Sequence, residues 1–202
     1  MTQQIAADPA GPESRPSTAR PDFEIIPLRG LPIVALALAG LVASVATNTR
    51  WGIDFYHVVG GGLWTALDLF LGFVLGPILG RLSIPARIEV TTRLMPKMIL
   101  IMPTVVVCTL AAGWQLALQT GDIFTSTHHG LIVASMIVVA VMAVVALGIL
   151  EPANLAVLFE LKKPQPDGQV IARLMRRFIY SAGITGAMQV ATLIIMTRLA
   201  TI

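Results

Sequence analysis

Five apolar runs, each close to the length of a bilayer-spanning helix, set the limits on what this chain can become. They fall at about 31–47, 55–82, 98–118, 128–150 and 178–197. A helix needs roughly 20 predominantly apolar residues to cross the hydrocarbon core. Inside lipid, every backbone N–H and C=O must also be satisfied within the segment. The runs lack the alternation of membrane β-barrel strands, so helices are expected. Composition agrees, since 55% of residues are hydrophobic and only 12% charged, against about 25% charged in soluble domains. The expected fold is an all-α membrane protein, a bundle of five transmembrane helices whose first partner is the lipid bilayer. Nothing in it points to nucleic acid.

The polar segment 1–28 has four prolines before Pro27 and no periodicity, a composition that suits a disordered tail. Residues 29–202 then form the five-helix domain. The first run is expected to stay uncleaved, being longer than a signal-peptide core and preceded by Asp8, Glu13, Asp22 and Glu24. The single cysteine, Cys108, lies inside an apolar run. It rules out an intramolecular disulfide or a CxxC motif and reads as a buried, inert thiol.

Lysine and arginine orient the bundle. The tail carries Arg15, Arg20 and Arg29; the second connection carries Arg81, Arg87, Arg93 and Lys97. The fourth carries Lys162, Lys163, Arg173, Arg176 and Arg177. Those twelve fall on one side of a five-helix topology, and Arg50 and Arg198 alone fall on the other. The positive-inside rule then predicts a cytoplasmic amino terminus and an external carboxyl terminus, in an inner (plasma) membrane. Within the basic connections, residues 83–97 are expected to lie on the membrane surface as a short helix. Residues 151–163 are expected to extend the fourth helix up to Pro164.

The stretch FYHVVGGGLWTALD, residues 55–68, is unusual for an apolar run. At 100° per residue, His57, Trp64 and Asp68 fall within about 40° of one another, flanked by Gly60 and Gly61. An ionisable group facing lipid costs a few kcal/mol or more, so this stripe should face protein or a ligand. The glycines permit close approach of a helix or of a flat ligand. The other histidines, His128 and His129, open the fourth run at the same expected depth, near the outer surface. Imidazoles converging from separate helices are a common way for a bundle to hold haem or a metal. Asp68, near mid-span, should be neutral, paired or beside a polar cavity, in a packing or a proton-handling role. Met95, Met98 and Met102 share one side of the third helix, where they serve packing or soft copper ligation. Ala182, Gly183, Gly186 and Ala187 give the fifth helix a small-residue face for assembly with partner membrane subunits or in a homo-oligomer.

The segments YHVVGGGLWTALDLFLGFVLGPILGRL and TTRLMPKMILIMPTVVVCTLAAGWQLAL resemble the first two helices of the CopD-like and HemJ-like small membrane proteins. The shared features are His57 and Trp64 at H-x6-W spacing, a basic connection, and a proline-containing helix ending in Gly113–Trp114. A helix then opens with His128 or His129. The likeness covers about residues 52–150. It implies b-type haem bound through His57 on the HemJ-like side, and copper uptake on the CopD-like side. Where the HemJ-like pattern has a lysine after the later histidine, this chain has His129 or Gly130. The leading expectation is haem b between His57 and His128 or His129, with Trp64 on the porphyrin, Gly60 and Gly61 making room, and Asp68 relaying protons. Such a protein would carry out electron transfer or a haem-linked redox step. The alternative is a non-catalytic membrane subunit of a larger complex, or a copper or ion transport protein.

Overall fold

The computed structural model describes residues 23–121 and 129–201, and among these the chain is almost entirely helical, with no strand. A single 3-10 turn, Leu28–Gly30, leads into α1 (Leu31–Ala46). Next come α2 (Arg50–Leu69), a π-helical turn (Phe70–Leu75) and α3 (Gly76–Arg81). The long α4 (Ile84–Thr120) follows. The next rod is α5 (His129–Val145), a second π-helical turn (Ala146–Leu150) and α6 (Glu151–Lys162). The last helix is α7 (Gly168–Ala200). Stacked end to end, they make five rods long and apolar enough to cross a membrane: Leu28–Ala46, Arg50–Arg81, Ile84–Thr120, His129–Lys162 and Gly168–Leu199. The fold is that of a multi-pass membrane protein.

The rods outrun the apolar runs of the sequence. The second begins at Arg50 rather than 55, the third at Ile84 rather than 98, and the fifth at Gly168 rather than 178. Hydropathy registers only the part immersed in hydrocarbon, whereas a helix continues while one face still packs. Residues 83–97, expected as a separate surface helix, form the first turns of α4, with Thr91, Thr92 and Met95 buried. Pro85 sits in the first turn, where its missing N–H costs nothing. Pro96 and Pro103 lie inside α4 and interrupt its bonding without ending it, because buried residues on both sides hold the rod together. At the far end Gly121 adopts φ 71°, the left-handed conformation that closes a helix.

Proline also explains the two π turns. Pro77 and Pro152 each stand two residues beyond a π turn. A proline ring clashes with the carbonyl four residues back and offers no N–H, so the preceding turn widens to relieve it.

Helices α2, α4, α6 and α7 form a ring in which α2 packs on α4 and α7, α4 on α6, and α6 on α7. Helix α5 leans on α7, and α1 lies outside the ring in the groove between α2 and α4. The main core joins Trp64, Leu71, Met95, Met102, Met142 and Phe178 with their neighbours. Met95, Met98 and Met102 are therefore packed in this core. A smaller cluster of Leu41, Ile53, Cys108 and Ala112 fixes α1, and it buries the thiol. Most of the expected tail, residues 1–22, lies outside the described residues. Phe23 and Ile25 pack against the main core, and Lys162 Nζ sits 4.6 Å from the centroid of the Phe23 ring. Gly168 abuts Ile84, so the start of α4, the end of α6 and the start of α7 share one end of the bundle.

Candidate functional site

Helix α2 carries two polar centres. Near the Arg50 end, His57 is half-buried against α4, and its Nδ1 lies 3.1 Å from the carbonyl oxygen of Thr109. A carbonyl can only accept, so Nδ1 carries the proton, and Nε2 of the neutral ring keeps its lone pair. The ring fits there because Gly113 has no side chain: a Cβ at that position would come within 2.6 Å of the imidazole. Gly60, one turn along α2, lies against Thr109 in the same way, and Gly61 meets only its methyl group. Gly60 and Gly113 let α4 close on α2, bringing the Thr109 carbonyl within reach of the imidazole.

Three turns further along, Asp68 is fully buried. Its Oδ2 accepts hydrogen bonds from Thr185 Oγ1 at 2.8 Å and Gln189 Nε2 at 3.0 Å, both on α7. The indole N–H of Trp64, one turn back on α2, acts on the same carboxyl, but it falls short of hydrogen-bond geometry. Trp64 Nε1, Asp68 Oδ1 and Gln189 Oε1 are all buried without a protein partner. Just beyond, α2 and α7 reach their closest approach: a Cβ on Gly72 would collide with the backbone of Gly183. Small residues at this crossing bring the Thr185 and Gln189 side chains onto the carboxyl.

The stripe read from the sequence is thus divided between two neighbours, with His57 facing α4 and Asp68 facing α7. The structure joins Trp64 with Asp68. Eleven residues of helix, about 16 Å, separate His57 from Asp68. His129 opens α5 and is exposed, while His128 lies outside the described residues. Among the described residues, no group of three or more His, Cys, Asp or Glu gathers as a metal cage. Of the two described histidines, only His57 has a ring nitrogen held by a backbone carbonyl.

Sequence reasoning missed Thr185, Thr109, Glu151 and Asn154. Thr185 stands four residues before Gln189 in an apolar helix, so the two share one face. Glu151 falls inside the fourth rod, where it lines a small, mostly apolar pocket with Pro103, Leu150 and Phe178. Asn154, one turn on, is fully buried with neither side-chain polar atom partnered. Both lie in residues 151–163, which extend the fourth helix as expected, but their place beyond the apolar run gave no sign of burial. No family model, curated protein or solved structure matches this chain.

Proposed function

We propose that this chain is a multi-pass inner-membrane protein that binds a b-type haem through His57 and serves electron transfer or a haem-linked redox step. The observation behind this reading is the Nδ1 contact with the Thr109 carbonyl. Ligating histidines commonly give their second ring N–H to a carbonyl or carboxylate, which fixes the tautomer and orients the ring. His57 meets that requirement and keeps Nε2 for iron. Gly60 and Gly113 position the imidazole by allowing α4 to close on it. His128 or His129 would be the second residue to hold the haem. Haem, when bound, contributes the one-electron chemistry; copper is the alternative occupant of the same nitrogen.

The absorbance spectrum of the protein, purified after expression with ample haem, tests this. A Soret band is expected in the parent and its loss in His57→Ala, with metal analysis reading copper in parallel. A parent protein without a Soret band overturns the haem.

A second reading rests on the same contact. The His57–Thr109 hydrogen bond also ties α2 to α4 and would suit a non-catalytic subunit of a larger membrane complex. Unchanged cofactor content in His57→Ala, together with copurification of a larger assembly, would favour it.

A further inference from the structure

The second polar centre is independent of the haem reading. Asp68 lies near the middle of its rod, is fully buried and has no cationic partner. Its polar neighbours are a hydroxyl, an amide and an indole, from α2 and α7, and none of these titrates. Trp64 and Gln189 both reach the Asp68 carboxyl, and each of the three residues keeps one buried polar atom without a protein partner: the donor Trp64 Nε1 and the acceptors Asp68 Oδ1 and Gln189 Oε1. In a membrane interior, no bulk water is at hand to satisfy such groups, so leaving them unpaired is costly. Buried polar groups left apart by more than hydrogen-bond distance are commonly bridged by water.

We propose that Trp64, Asp68 and Gln189 enclose a binding site for one water molecule, through which Asp68 holds an exchangeable proton. The atom inventory selects water. With Asp68 ionised, a water gives one O–H to Asp68 Oδ1, gives the other to Gln189 Oε1, and accepts from Trp64 Nε1. With Asp68 protonated on Oδ1, the water accepts from both Oδ1–H and Nε1–H and still donates to Gln189 Oε1. The same three atoms are satisfied in both charge states, because water alone reverses its role with the proton. A metal cation would be met by the Trp64 N–H, a donor pointed the wrong way. Thr185 and the Gln189 amide nitrogen remain on Oδ2 throughout, so a proton gained or lost at Oδ1 leaves the α2–α7 contact intact.

Infrared spectroscopy of the full-length protein in lipid nanodiscs, with carboxyl-13C-labelled aspartate, tests the site. Asp54 and Asp167, the other described aspartates, are exposed. A 13C-sensitive C=O band of a protonated acid is expected to form as the pH is lowered. It should shift on transfer to D2O and disappear in Asp68→Asn. Trp64→Phe, which removes the water's donor, should move the band and slow its response to D2O, and Gln189→Leu, which removes an acceptor of the water together with the direct bond to Oδ2, should do both more strongly. The proposal is overturned if no such band forms at any pH, if the band ignores D2O in the parent protein, or if both variants leave it unchanged. The parent measurement stands by itself should a variant fail to fold.

Discussion

Thr185 shows how a single hydroxyl can couple two helices. Its Oγ1 reaches Asp68 Oδ2 while remaining within range of the Ser181 and Ala182 carbonyls of its own helix. Thr185→Val keeps the shape and leaves Oδ2 with Gln189 alone. It should destabilise the bundle by about 1–3 kcal/mol, read from the unfolding midpoint in detergent, while Thr185→Ser should stay close to the parent. Glycines make a sharper pair. A Cβ at Gly72 meets backbone of Gly183, whereas one at Gly62 meets nothing within 4 Å. Gly72→Ala should therefore lower stability by about 1–3 kcal/mol through overpacking. Gly62→Ala should be neutral or stabilising by up to about 1 kcal/mol through helix propensity; thermal unfolding of the two variants side by side checks this. Asp68 and Trp64 were legible as oddities in an apolar background. Thr185 was not, because threonine is at home in membrane helices when it bonds its own backbone. The Thr109 carbonyl could not have been found at all, since a backbone acceptor has no residue signature.

At the scale of the element, the wheel that grouped His57, Trp64 and Asp68 assumes an uninterrupted 3.6-residue turn. That assumption holds to Leu69, where α2 ends in a π turn. The prolines that cause the π turns were visible, but a proline in an apolar run can equally kink a helix or end it. Packing decides which of these happens. Helix ends follow similar logic. Asp167 accepts from the backbone nitrogens of Gln169 and Val170 at 2.8 and 3.3 Å, capping α7. Asp167→Ala should cost about 1 kcal/mol, seen as faster amide exchange confined to the first turn of α7. On α3, the Arg87 guanidinium bonds the carbonyls of Leu79, Gly80 and Leu82, so α4 closes the last turn of the rod before it. That contact crosses a connection of two residues, which is why the second and third rods run antiparallel and touch along their length.

For the whole molecule, the count of spanning helices followed from hydropathy alone, whereas their arrangement needed contacts. Helix α1 contributes little to the ring: of the window that spans its apolar part, only 6% is buried. A chain starting after Asn48 should still insert and keep the other four rods. The truncated chain should keep a cooperative thermal transition, read by circular dichroism in detergent; loss of that transition would show that α1 holds the ring together. The basic residues bear on orientation. We expect single cysteines replacing Ser83 and Thr47, in a Cys108→Ala background, to be labelled from opposite sides of sealed vesicles, with Ser83 on the cytoplasmic side.

The excess length of the rods has a practical consequence. At about 1.5 Å per residue, α4 with its 37 residues runs for about 55 Å, beyond the 40–45 Å of a bilayer with its headgroups. The surplus gathers where α4 begins, α6 ends and α7 begins, and there Lys163 pairs with Glu160, which also accepts from the Asp167 backbone. A 21.5 kDa protein buried in a micelle is hard to align in electron images. A soluble helical marker grafted between Lys163 and Asp167 would stand on this stub and give every particle a visible handle.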